Sequence, residues 1–147
     1  AQVNASNIGY HTIRNYTNFN TLIINEKEIR HEMRDKISKL ENLMNDLSKQ
    51  KNIKNLIVTM GKSGSILLDK KKNKFFYSDA LAHKIVDKVG AGDTMLSVIG
   101  PCLKFNVEND ITLLISSIAA AQSVETMGNK NSINKIQILK NLENILK

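Results

Sequence analysis

Short β-branched runs alternate with longer helix-period segments along this chain, and that alternation restricts it to an α/β fold. Thr21-Leu22-Ile23-Ile24 predicts a strand that ends at Asn25. Glu26 to about Asp35 predicts a helix, with acids at its start and Arg30 and Arg34 towards its end, as the helix dipole favours. A second helix is expected from about Ile37 to Ser48, where Leu40, Leu43, Met44 and Leu47 share one face. Asn55-Leu56-Ile57-Val58-Thr59 predicts a buried strand that stops at Gly61. Ser65–Asp69 and Lys74–Tyr77 flank a polar turn and predict a hairpin. Lys84–Asp87 predicts a short strand, and Ala91 to about Phe105 a helix that Gly100-Pro101 can bend. Helices over Val107 to Met127 and about Ile133 to Leu146 complete the pattern. Residues 1–20 read as the end of an earlier unit, with a short helix around Tyr10–Tyr16. The expected architecture is layered α/β with a mainly parallel sheet flanked by helices.

At 147 residues the chain is one domain long and can bury a core. Its net charge of +7 comes from 18 Lys and 3 Arg against 14 acids. Eighteen Asn accompany the lysines, so codon bias explains the composition as well as function does. Nucleic-acid readers favour Arg for bidentate contacts, so nucleic acid is not an expected partner. Lys70-Lys71-Lys72 with Lys74 reads as a solvated turn. The single Cys102 excludes an intramolecular disulfide and suits a reducing, cytoplasmic setting. No apolar run approaches the roughly 18 residues that span a bilayer, so no membrane partner is expected. Beginning at Ala1 without Met, the chain reads as a piece of a longer protein.

Ligands of α/β proteins gather where strands end. The sharpest candidate is Asp87-Lys88-Val89-Gly90-Ala91-Gly92-Asp93-Thr94. Gly and Ala let backbone N–H groups close on a ligand, and the following helix N-terminus attracts anions. An acid there repels phosphate unless it has a task of its own. Asp93 therefore fits a base that takes a proton from a hydroxyl as phosphate arrives. A plain acid-capped helix start is the competing reading.

Three further loops are weaker. Asn25 ends a strand and Glu28 lies one helical turn on, so a carboxylate can hold Mg²⁺ there directly or through water. The competing reading is an N-cap with first-turn acids. Thr59-Met60-Gly61-Lys62-Ser63-Gly64 can let a nucleotide lie against backbone, and a tight turn explains it equally well. Gly128-Asn129-Lys130-Asn131-Ser132 closes a helix rich in small residues. Gly128 suits a C-cap, and exposed carbonyls with Ser132 can bind a monovalent cation. Gly61-Lys62-Ser63 imitates the end of a P-loop, but position 56, where that motif needs Gly, is Leu56. His31-Glu32 opens like a zinc-protease motif, but position 35 is Asp35. His11, His31 and His83 have no ligand spacing with Cys102, so no metal–histidine site is expected.

In this order, Asn25-x-x-Glu28, Thr59-x-Gly61-x-x-Gly64, Asp87-x-x-Gly90-Ala91-Gly92-Asp93 and Gly128-x-x-x-Ser132 resemble the C-terminal half of the ribokinase-like (PfkB) carbohydrate kinases. One such loop is weak; four in the family order, across nearly the whole chain, are specific. The resemblance implies a three-layer Rossmann-like ribokinase fold. It implies ATP-dependent phosphorylation of a sugar, sugar-phosphate or nucleoside hydroxyl, with Mg²⁺ and often K⁺. It implies Asp93 as the base and Gly90, Ala91 and Gly92 as a backbone anion hole. Asn25 and Glu28 would serve the phosphate–Mg²⁺ region, and Thr59 to Gly64 would line the nucleotide, with Ser117 nearby. Asp87, Val89, Gly128 and Ser132 would surround the monovalent cation. Lys88, Val98 and Ser117 depart from the family's usual small or Thr, Ala or Gly, and Asn or His residues. The segment Asn7–Arg14 with Asp87-Lys88-Val89 is similar to kinase domains related to those of heptose-nucleotide synthesis.

The family's N-terminal half, with its Gly-Gly sugar contact and β lid, has no counterpart here. Residues 1–147 are therefore expected to be a single partial domain, inactive alone, whose whole takes a sugar or sugar-phosphate substrate. A homodimer is compatible with this reading. Two other readings compete. A non-catalytic remnant, kept as a nucleotide-binding or assembly module, would hold ATP without turnover. A basic nucleic-acid-binding domain would bind with strong salt dependence.

Overall fold

The computed structural model describes residues 12–82, 85–87, 89–125 and 133–145. The chain divides into two compact units, residues 1–77 and 78–147. In chain order the first carries β1 (Thr21–Asn25), α1 (Glu26–Met33), α2 (Leu40–Lys51), β2 (Asn55–Thr59), β3 (Ser65–Asp69) and β4 (Lys74–Ser78), the last residue of β4 opening the second unit. The sheet order is β1-β2-β3-β4.

β1 and β2 are parallel, from Thr21↔Asn55 to Asn25↔Thr59. Parallel neighbours need a crossover, and α1 with α2 provides it. β2 and β3 are antiparallel, from Asn55↔Asp69 to Thr59↔Ser65. The short turn at 70–73 leaves β3 and its neighbour β4 only an antiparallel arrangement. The sheet is thus mixed, and its parallel character rests on the β1–β2 pair. Alternate residues Leu22, Ile24, Leu56, Val58, Ile66 and Leu68 pack with Ile29, Leu40, Leu43, Met44, Leu47 and Ile53 in one core. Ile23, Ile57 and Leu67, which point to the opposite face, are also buried. Burial on both faces is why these strands read as unbroken apolar runs.

Both crossover helices end in the same backbone motif. Arg34 is left-handed at φ 52°, the Asp35 N–H donates to the Arg30 carbonyl at 3.0 Å, and α1 stops short of the expected Asp35. Asp35 instead organises the connection. Its Oδ1 accepts from the Ile37 and Ser38 N–H groups at 2.8 and 2.9 Å, and its Oδ2 from the Ser38 hydroxyl at 2.6 Å. The Ser38 bonds chiefly hold the Asp35 carboxyl at about 2, below its usual 3.8. That turn delays α2 to Leu40 and leaves Ile37 exposed. α2 ends with Asn52 at φ 53°, the Ile53 N–H on the Ser48 carbonyl at 2.9 Å, and Ile53 buried.

The second unit is helical: α3 (Ala91–Lys104), α4 (Asn109–Val124) and α5 (Lys135–Ile145). α3 and α4 pack together, burying Met95 and Ile99 of one and Leu113, Ile118 and Ala119 of the other. Asn106 at φ 55° makes the turn between them, with the Val107 N–H on the Cys102 carbonyl at 3.0 Å. The expected strand over Lys84–Asp87 does not form in its described part, Ile85–Asp87. The Val86 and Asp87 N–H groups both donate to the Val124 carbonyl, at 2.8 and 3.1 Å. The last carbonyls of a helix have no intrahelical donor, and α4 recruits this segment to supply one. Of the expected first helix, the described part is a single 3₁₀ turn, Ile13–Asn15. Among the described residues no helix is long and apolar enough to cross a membrane.

Leu56→Ala removes a fully buried side chain from the core and should lower the unfolding free energy by about 2–5 kcal/mol. Arg34→Gly relieves a left-handed residue and should raise it by up to about 1 kcal/mol. Urea denaturation measures both.

Candidate active site

The register places Asn25 beside Thr59, so both sit at the C-terminal edge of the parallel pair. Asn25 is also the N-cap of α1. Its Oδ1 accepts from the Glu28 N–H at 2.9 Å, while Glu28 Oε2 accepts from the Asn25 N–H at 2.8 Å. This reciprocal capping box is the plainer of the two readings of the motif. Glu28 is only 6% exposed. Desolvation pushes its carboxyl above the usual 4.5, and the two Asn25 bonds offset part of that rise. From Thr59 the chain enters a tight turn. The Met60 N–H donates to the Gly64 carbonyl at 2.8 Å, and the Gly64 N–H to the Gly61 carbonyl at 3.2 Å. Gly61 and Gly64 have φ of 60° and 84°. A methyl group at Gly61 would meet nothing within 4 Å, so this glycine answers to the backbone turn and leaves an open face.

In the second unit, Gly90 at φ 86° is the N-cap of α3 and supplies no side-chain cap. Its carbonyl accepts from the Thr94 N–H at 2.9 Å, the first bond of the helix. The N–H groups of Ala91, Gly92 and Asp93 precede that bond and have no intrahelical partner. They point along the positive end of the helix dipole. Asp93 is exposed in this first turn. Upstream, Asp87 Oδ1 accepts from the Val89 N–H at 2.9 Å, and the Asp87 N–H is held by Val124. These bonds anchor Asp87 and Val89 ahead of α3. Val89 is 71% exposed.

The structure thus gathers Asn25, Glu28, Thr59 and the Gly61–Gly64 turn on one edge of the first unit. It gathers Asp87, Val89, Gly90, Ala91, Gly92 and Asp93 at one helix start of the second. Ser117 is buried on α4. Gly128, Ser132 and most of Asn7–Arg14 lie outside the described residues. Among the described residues no three His, Cys, Asp or Glu form a metal cluster. Sequence reasoning missed the Val124 carbonyl that holds the Val86 and Asp87 N–H groups. It is a backbone interaction and left no side-chain signal.

The chain belongs to the pfkB family of carbohydrate kinases, which it matches over residues 9–136. It is 31% identical over 130 residues to the bifunctional protein HldE of Campylobacter concisus, covering 86% of this chain and 27% of that protein. It is 33% identical over 76 residues to HldE of Campylobacter fetus, covering 52% and 16%. The chain therefore spans about a quarter or less of these relatives. Among solved structures it resembles Arabidopsis thaliana ribokinase complexed with ribose and ATP, with a TM-score of 0.73 and 23% identity over 84% of this chain and 41% of that one. It also resembles Escherichia coli phosphofructokinase-2 in complex with potassium, with a TM-score of 0.75 and 16% identity over 89% and 42%. These likenesses establish the ribokinase-type α/β fold.

The folded protein holds the Glu28 proton more tightly than the unfolded chain does. Stability should therefore fall as pH rises through the range just above 4.5. Glu28→Gln keeps an oxygen for the Asn25 N–H and has no charge to desolvate. It should flatten that fall, read from urea unfolding between about pH 4 and pH 7.

Proposed function

We propose that this chain is the nucleotide-binding and catalytic half of a carbohydrate kinase, both units belonging to one partial domain. The whole protein transfers the γ-phosphoryl group of ATP to a hydroxyl of a sugar or sugar phosphate. The likeness to the HldE proteins favours a heptose phosphate among the acceptors to try. The observation that carries the reading is the start of α3. Three consecutive N–H groups without intrahelical partners and an exposed carboxylate, Asp93, share one helical turn behind a left-handed glycine.

The acceptor oxygen forms a bond to the γ-phosphorus as the bond to the β-phosphate oxygen breaks and ADP leaves. Asp93 takes the proton that the hydroxyl releases. The Gly90, Ala91 and Gly92 backbone holds the equatorial oxygens, where negative charge gathers in the transition state. Thr59 and the Gly61–Gly64 turn offer the nucleotide a backbone face, with Ser117 of α4 serving the nucleotide region. Mg²⁺, when bound, neutralises phosphate charge. Glu28 fits that ion through water: one carboxylate oxygen already serves the Asn25 N–H, and burial disfavours its charge. We assign Asp87, Val89, Gly128 and Ser132 to a monovalent cation, K⁺ in this reading. The chemistry is that of a cytoplasmic enzyme with no nucleic-acid or membrane partner, and a homodimer is compatible with it.

Asp93→Asn in the full-length protein should lower phosphoryl transfer by roughly 10²–10⁴-fold and leave ATP affinity within a few-fold. Near-normal turnover would remove Asp93 as the base. Gly92→Val should weaken ATP binding more than Lys88→Thr does, because a β-branched side chain crowds the anion hole. Equal effects in an ATP titration would count against a backbone cradle.

A further inference from the structure

The net charge of +7 is not spread along the chain. Residues 1–77, the first unit, carry 14 Lys and Arg against 7 acids, an excess of +7. Residues 78–147, the second, carry 7 Lys against 7 acids and are neutral. A bias in composition would act on both units alike. Within the first unit, residues 49–74 hold eight lysines and a single acid, Asp69.

The fold brings seven of those lysines to one end of the sheet. Lys54 leads into β2 and Lys70 leaves β3, and the Lys70 N–H donates to the Lys54 carbonyl at 2.8 Å. Lys71 and Lys72 lie in the turn, and Lys74 begins β4. Lys49 and Lys51 stand in the last turn of α2, which the Lys70 ammonium meets at Asn45 Oδ1, 3.4 Å away. The eighth, Lys62, lies beyond the other end of β2. The acid is already engaged: Asp69 is buried, accepts the Lys72 N–H at 3.1 Å and lies 3.9 Å from the Lys72 ammonium. Lys49, Lys54 and Lys71 are exposed and form no ion pair among the described residues. Read alone, Lys70–Lys74 is a solvated turn; the lysines from α2 and the approach to β2 are what the fold adds. Like charges gathered in this way repel one another and lower the stability of the compact state unless an anionic surface offsets them.

We propose that this end of the first unit docks on an anionic membrane surface, held by the phosphate headgroups of its lipids. Lysine is a point charge on a flexible stem, which suits a fluid layer of headgroups without fixed geometry. A nucleic-acid surface would favour arginine forks and open rings for stacking. Arg14, Arg30 and Arg34 all lie outside residues 49–74, and the Phe76 ring carries the Lys74 ammonium at 5.0 Å. The contact is peripheral and needs no spanning helix. Asn25 and Thr59 sit at the opposite end of the parallel pair, so docking leaves that edge free. The surface shares no residue with the proposed transfer chemistry, and it stands whether or not that chemistry does.

Sedimentation of the full-length protein with lipid vesicles tests the proposal. It should bind phosphatidylglycerol–phosphatidylcholine vesicles, release them as salt rises, and ignore phosphatidylcholine alone. Replacing Lys54, Lys71 and Lys74 together by Gln should weaken partitioning about fivefold per charge, roughly 10²-fold in all. Replacing Lys104, Lys135 and Lys140 of the second unit by Gln removes the same net charge and should change it by no more than a few-fold. The Lys54→Arg, Lys71→Arg and Lys74→Arg protein should bind like wild type, which separates lost charge from lost folding. Equal losses in the two Gln sets would make net charge the cause and overturn the proposal. So would binding to phosphatidylcholine alone, or binding to a polyuridylate strand without binding to the anionic vesicles.

Discussion

Two parallel strands cannot be joined by a tight turn, and much of the first unit follows from that constraint. The β1–β2 pair forces the chain through α1 and α2, which cover one face of the sheet with Ile29, Leu43, Met44 and Leu47. The same pairing sets Asn25 level with Thr59. Two residues far apart in the chain thereby come to one edge, where a helix begins from one strand and a glycine turn from the other. Apolar burial then locks the register, because a slip of one residue would turn Leu22 and Ile24 away from the helices.

The two helix starts that follow a candidate loop are built differently. At α1, Asn25 and Glu28 satisfy each other, and the terminus is closed by its own side chains. At α3, Gly90 has no side chain to offer, and the first N–H groups remain available to an anion. The contrast separates the two helix starts chemically. The closed terminus holds a buried carboxylate in place, and the open one suits phosphate.

Asparagine is another thread. Among the described residues, four of the five left-handed residues other than glycine are asparagines: Asn18, Asn52, Asn73 and Asn106. Asn52 and Asn106 stop helices where glycine commonly does, and Asn73 sits in the β3–β4 turn. Composition read as codon bias thus performs a conformational task, since asparagine tolerates the left-handed region better than most side chains.

Much of this protein was legible in the amino-acid order because it depends on neighbours in the chain. Asn55–Thr59 and Ser65–Asp69 form strands over the expected residues, as period and β-branching dictate. The Gly-Ala-Gly-Asp loop opens its helix at Ala91, since glycine at the cap and an acid in the first turn suffice. What tertiary structure decided depends on groups that arrive from elsewhere. Ile85–Asp87 has strand-forming residues, yet the open carbonyl of Val124 takes its N–H groups. Glu28 looks like any first-turn acid until the fold buries it and lifts its pKa. Gln122 looks like a surface amide until packing hides its nitrogen and leaves its oxygen to Asn134. Local sequence determines which backbone conformations are cheap; burial and distant hydrogen-bond partners exist only once the chain has closed on itself.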